Sequence, residues 1–276
     1  MDYNYTRSYH GRVQLVVFDW AGTTVDFGCQ APIVAFAEGF RQKGIEISMA
    51  QAREPMGREK RAHIRAITEM DEVARAWEAQ YGRPVSGEDI DEMFDDFVPL
   101  LLRILPDHSQ LIPGVSEAIA SLREQGIRIG ASTGYFREAA DTVAAAAAVQ
   151  GYRPDVAISS SEVAVGRPAP WLIYRIMEEL NIHPAAAVVN VGDTVVDVES
   201  GLNAGVWSIG VAATGNETGL SAEEFARTPT AERQALVAAA REKLLRAGAH
   251  QVIDTMEELP GVIECINGQL GRGCSP

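Results

Sequence analysis

Short apolar runs alternating with helical patterns constrain this chain more than any other feature. Val13–Phe18 reads as a first strand, and after Pro106 the runs Ile127–Ser132, Val156–Ser159, Ala187–Gly192, Val206–Val211 and His250–Ile253 read as further strands. Between these later strands, Arg137–Gln150, Trp171–Leu180, Val196–Ala204 and Arg233–Ala247 read as helices, and Val115–Gln125 precedes them; Gly126 and Gly205 act as stops. Strands that alternate with helices imply an α/β fold built on a doubly wound parallel sheet.

The stretch between the first strand and the rest has another character. From about Gln30 to Leu105 it is helical, with Pro32–Lys43 ended by Gly44, then Glu59–Met70, Asp71–Tyr81 and Gly87–Leu105. Glu88, Asp89, Asp91 and Glu92 suit the positive end of the last of these helices, which Pro99 is expected to kink. The block is therefore expected to be an inserted all-helical cap domain over 28–105, with a Rossmann-like core made from 1–27 and 106–276. Hinges are expected at Val25–Gly28 and Ile104–Ser109.

A chain of 276 residues can bury a full core. Its formal net charge of −14 argues against nucleic acid or an anionic membrane as a partner, so an anionic ligand has to be drawn in by a local cation or a metal. Cys29, Cys265 and Cys274 form no C-x-x-C pair and suit a reducing compartment. Met1–Arg12 is polar without a signal-peptide core, and Ala144–Ala148 is too short to span a bilayer. A cytoplasmic location is the expectation.

The chemistry concentrates where strands end. Asp19-Trp20-Ala21-Gly22-Thr23-Thr24 follows the buried run Leu15–Phe18, and an aspartate there can attack phosphorus and ligate magnesium at once. Ser132-Thr133-Gly134 offers a hydroxyl and backbone N–H groups at a second strand end. Arg167 in Gly166-Arg167-Pro168 supplies a fixed cation, and Asp193, with Asp197 a turn later, follows a third strand. Singly, each has a plainer reading as a cap, a turn residue or a surface ion-pair partner. In this order they make a phosphoryl-transfer constellation.

That order resembles the four motifs of the haloacid dehalogenase superfamily, with two departures: Arg167 stands where most members carry Lys, and Ala21 where most phosphatases carry the Asp that protonates an ester's leaving oxygen. Both departures narrow the likeness to the phosphonoacetaldehyde hydrolase (phosphonatase) family. The likeness rests on Asp19-Trp20-Ala21-Gly22-Thr23, on Pro55-Met56-Gly57, Lys60, His63 and Arg65–Met70 in the cap, and on Thr133-Gly134-Tyr135 and Gly192-Asp193-Thr194.

The resemblance implies hydrolysis of a C–P bond in the degradation of phosphonates such as 2-aminoethylphosphonate. The leaving group of such a bond is a carbanion that no carboxylic acid can rescue; a lysine imine accepts the electrons instead, and an acid at position 21 is not needed. The imine lysine maps onto Lys60, and His63 on the same helical face is placed to move protons. Arg58, Arg61 and Arg65 near Lys60 are permissive for a lowered amine pKa. Met56, Gly57, Tyr135 and Cys29 are expected to border the substrate, beside Thr133 and Arg167. Asp19, the Ala21 carbonyl and Asp193 are expected to hold one Mg2+ per subunit, supported by Asp197. A homodimer is implied, and the apolar stripe Ile33–Phe40 is compatible with it, although such a stripe is more often core. The alternatives are a capped phosphomonoesterase or phosphomutase of the superfamily, which Ala21 disfavours, and a non-catalytic phosphate-binding protein, which has no need of Asp19 as a nucleophile.

Overall fold

In a computed structural model, which describes residues 8–276, Leu15–Phe18 forms the first strand, β1, and all four of its side chains are buried. The polar N-terminal stretch read above lies outside the described residues as far as Arg7. Leu15 and Val17 pack with Ile173, Ile176 and Val188 on one face of the sheet, while Val16 and Phe18 join the larger core on the other. Burial on both faces explains why the run is apolar throughout instead of alternating.

Five more strands follow: β2 (Arg128–Thr133), β3 (Val156–Ser159), β4 (Val188–Gly192), β5 (Trp207–Val211) and β6 (Gln251–Ile253). All pair in parallel, in the order β3-β2-β1-β4-β5-β6. The order reverses at β1, which opens a crevice at the carboxyl ends of β1 and β4. Phe18 lies level with Ala131 and Val191, so Asp19, Ser132-Thr133 and Gly192-Asp193 come off the same edge of the sheet.

Between β1 and β2 come α1 (Gln30–Gln42), α2 (Met49–Arg53), α3 (Lys60–Thr68), α4 (Asp71–Tyr81) and α5 (Gly87–Ile104), with no strand among them. Phe36 of α1 stacks on Phe97 of α5 at 4.5 Å, and Ile33, Phe40 and Leu101 are buried with them. The apolar stripe of α1 is thus spent inside the chain and is not presented to a partner. Ser86 and Asp89 form a capping box at the start of α5, which continues through Pro99. The five-residue α2, held by a Ser48–Gln51 box, is too short to leave a periodic signature in the sequence.

Around the sheet come α6 (Val115–Glu124), α7 (Arg137–Val149), α8 (Trp171–Glu179), α9 (Val195–Ala204), the short α10 (Ala222–Arg227), which buries none of its residues, α11 (Thr230–Arg246) and α12 (Leu259–Gly271). The last of these extends past the final strand that the sequence suggests. Its Pro260, Gly261, Gly268 and Gly271 mask it, but Leu259, Ile263, Ile266 and Leu270 sit on one buried face, and that packing overrides poor helix propensity.

Candidate active site

Asp19 continues the β1 ladder, its N–H donating to the Val191 carbonyl at 2.9 Å, and its side chain turns into the crevice. Gly22 follows with φ +86, and a Cβ there would lie 2.3 Å from Asp193 Oδ2; only glycine lets the turn pass so close to that carboxylate. Arg167 reaches in from the loop before α8. Its Nη1 lies 2.6 Å from both Asp19 Oδ1 and Asp197 Oδ1, and its Nη2 donates to the Ser132 carbonyl at 2.8 Å and to Ser132 Oγ at 2.6 Å. Ser132 therefore anchors the guanidinium. Thr133 Oγ1 instead accepts the Tyr135 N–H at 3.1 Å, which leaves its own O–H free to donate to a ligand.

Asp193 is fully buried. Its Oδ1 accepts from Thr23 Oγ1 at 2.9 Å and its Oδ2 from the Asn216 N–H at 2.7 Å. Asp197 divides its oxygens: Oδ2 accepts from Thr194 Oγ1 and N–H in the capping box of α9, and Oδ1 faces Arg167. Carboxylate oxygens of Asp19, Asp193 and Asp197 lie within 4.8 Å of one another. Burial pushes the Asp19 carboxyl up to about 6, with Asp197 adding to the rise and Arg167 opposing it. Burial and the neighbouring Asp19 and Asp197 push Asp193 well above the usual carboxylate range. Three crowded carboxylates facing one guanidinium form an all-oxygen donor set short of positive charge, which fits a hard divalent cation. The Ala21 carbonyl, which accepts the Cys29 S–H at 2.9 Å, lies beside them.

The cap closes this centre from above. Lys60 is the first residue of α3 because the Glu59 carboxylate caps the helix, accepting from the N–H groups of Arg61 and Ala62. Its ammonium is buried between aromatic rings, 4.9 Å from the Tyr135 centroid and 5.8 Å from that of Phe36. Burial lowers the Lys60 pKa, with Arg167 adding to the effect and Cys29, Asp19 and Glu59 opposing it. A position at the positive end of a helix also disfavours the ammonium. The sequence suggested cationic neighbours in the cap, but Arg61 turns outward to Asp91; the cation that presses on Lys60 comes from the core.

One cavity, with a volume of about 20 Å³, joins these groups. Asp19, Ala21, Cys29, Met56, Gly57, Lys60, Thr133, Tyr135 and Arg167 line it, together with Pro32, Gly134 and Thr194. Asp193 and Asp197 stand behind the lining. So does His63, whose Nε2 is 2.9 Å from the Ala52 carbonyl and whose ring stacks on Phe36 at 4.0 Å. Donation from Nε2 leaves Nδ1 as a bare, buried acceptor with no partner, and burial beside Lys60 holds the ring well below its ordinary pKa. Sequence reasoning missed Ser132 as the Arg167 anchor and Asn216 and Thr23 as the grips on Asp193, because common polar residues brought together by distant loops leave no spacing signal.

The profile of the haloacid dehalogenase-like hydrolases matches residues 13–205. A phosphonoacetaldehyde hydrolase of Bacillus cereus (strain G9842) is 44% identical over 258 residues, which cover 94% of this chain and 98% of that one. The enzyme of the same name from Bacillus anthracis is 45% identical over the same shares. The crystal structure of a phosphonoacetaldehyde hydrolase-like protein from Oleispira antarctica superposes with a TM-score of 0.97 at 39% identity, covering the whole of both chains. Fold, site and relatives agree, and the chain belongs to the haloacid dehalogenase-like hydrolases, in the phosphonoacetaldehyde hydrolase family.

Proposed function

We propose that this chain hydrolyses the C–P bond of phosphonoacetaldehyde to acetaldehyde and phosphate. The observation that carries the reading is a buried lysine amine and a strand-end aspartate lining one small cavity, with alanine at the position from which an acid would serve an ester. Lys60 condenses with the aldehyde and releases water; the lowered pKa favours the free amine needed for that attack. His63, neutral and with Nδ1 unpartnered, is read as a shuttle for protons during this stage.

The phosphonate oxygens sit against Arg167 and the Thr133 hydroxyl, bordered by Met56, Gly57, Tyr135 and Cys29. Asp19 attacks phosphorus as the C–P bond breaks, and the bonding pair flows into the protonated imine to give an enamine and an aspartyl phosphate. Water attacks the acyl phosphate and frees phosphate. The enamine takes a proton on carbon, and a second water hydrolyses the imine to acetaldehyde and Lys60; with one water released and two consumed, the net reaction uses one. The cation that Asp19, the Ala21 carbonyl and Asp193 would hold, read as Mg2+, supplies positive charge for the phosphoryl oxygens. Asp197 fixes Arg167, with which it is in contact.

The same reading takes the protein to be a cytoplasmic homodimer acting in phosphonate degradation. No helix among the described residues is long and apolar enough to cross a membrane. Turnover of phosphonoacetaldehyde, followed by acetaldehyde release and set beside a panel of phosphate monoesters, tests the function. Acetaldehyde from the phosphonate and little phosphate from the esters is expected; the reverse selectivity would make the protein a capped phosphomonoesterase.

A further inference from the structure

A cavity of about 20 Å³ has room for one water and none for a substrate of several heavy atoms, so the cap has to part from the core to load it and return to enclose it. Packing such as Phe94 against Phe136 joins the two elsewhere, but the directional bonds that their side chains make are confined to one place. Among the described residues, the side-chain hydrogen bonds that cross from residues 30–104 to residues 110–276 all end in segment 216–219.

Arg53, at the end of α2, is the centre of that junction. Its Nη1 donates to Asn216 Oδ1 at 3.2 Å, its Nη2 to the Gly219 carbonyl at 2.9 Å, and Asn216 Nδ2 returns a bond to the Arg53 carbonyl at 3.3 Å. Nη1 also donates at 2.7 Å to the Gly28 carbonyl in the hinge, where the Gly28 N–H in turn donates to the Thr214 carbonyl. The residue that Arg53 grips is the one whose backbone N–H holds Asp193 Oδ2. The same turn wraps Asp193 so closely that a Cβ on Gly215 would lie 2.5 Å from its Cβ.

We propose that Arg53 is a positioning residue that latches the cap shut and, through Asn216, ties closure to the setting of the Asp193 carboxylate. The proposal rests on the reading of this cavity as the reaction site. Charge-assisted bonds from a cap arginine to Asn216 Oδ1 and the Gly219 carbonyl of the core favour the closed state alone, since opening breaks them together. Because Asn216 serves both Arg53 and Asp193, closure and cation binding at Asp193 strengthen each other, as coupled equilibria must.

The test needs a readout other than turnover, and Cys29, buried in the cavity wall while Cys265 and Cys274 are exposed, provides it. Alkylation by iodoacetamide, mapped by mass spectrometry, reports opening of the cap at Cys29. Arg53→Ala should raise the Cys29 rate at least roughly tenfold and weaken Mg2+ binding in calorimetry severalfold. Arg241→Ala, which removes a comparable arginine bonding Val252 and Asp254 within the core, should leave both near wild type. If Arg53→Ala does not fold, Arg53→Gln carries the same comparison. A Cys29 rate within about twofold of wild type in a folded variant would overturn the latch, and a raised rate with unchanged Mg2+ affinity would overturn the coupling. Wild-type enzyme that protects Cys29 but leaves phosphonoacetaldehyde intact would refute the proposed function and not the latch.

Discussion

At the scale of single residues the account turns on Ala21 and Lys60. Ala21 was legible at once, since a missing acid in an otherwise complete strand-end motif demands another way to activate the leaving group. Lys60 was legible only through the family resemblance: taken alone, a lysine beside three arginines reads as a solvated face, whereas the fold buries it between Tyr135 and Phe36. Lys60→Arg keeps the charge but cannot form an imine, so acetaldehyde release should fall by roughly a thousandfold or more while the protein stays folded; near-normal release would remove the electron sink from the mechanism. The pH dependence follows from the lowered amine pKa. The neutral fraction grows as pH rises, so imine formation should climb with pH and level off clearly below about 10.4, the value of a free lysine. A rate still climbing at that pH would mean that the amine is unperturbed.

At the scale of elements, the strands and most helices were readable because their periods are strong and their ends are marked by glycine, proline and capping residues. The short α2 and the glycine-rich α12 were not, since one is too short for its period to repeat and the other is held by burial. Yet α2 carries Arg53, and it leads into the loop of Met56 and Gly57, which the motif Pro55-Met56-Gly57 did mark and which lines the site. The fit of that loop on the core is tight: a Cβ on Gly134 would lie 2.7 Å from the Arg58 carbonyl oxygen. Gly134→Ala should therefore keep the cap from seating and lower kcat/KM by roughly a hundredfold, with the thermal midpoint little changed. Full activity in that variant would mean that the seated loop is not the working arrangement.

At the scale of the molecule, the sheet order places Asp19 and Asp193 at adjacent strand ends, where three carboxylates accumulate in a chain that is already strongly acidic. The strand-end spacing made Asp19 and Asp193 legible as a pair, but their grips on Thr23 and Asn216 depend on loops that only the folded chain brings together. Mg2+ that binds the native state alone should stabilise it by about 2.7 kcal/mol at a hundredfold excess over Kd, a rise in Tm of roughly 5–10 °C. Asp193→Asn should remove most of that rise, and an undiminished shift would place the cation elsewhere. The measurement that goes most directly to the central claim is borohydride reduction in the presence of phosphonoacetaldehyde and Mg2+, read by intact mass and peptide mapping. The account predicts a substrate-dependent two-carbon adduct on Lys60, because reduction freezes the imine left after C–P cleavage. No adduct in folded, Mg2+-loaded protein, or an adduct on another lysine, would contradict it.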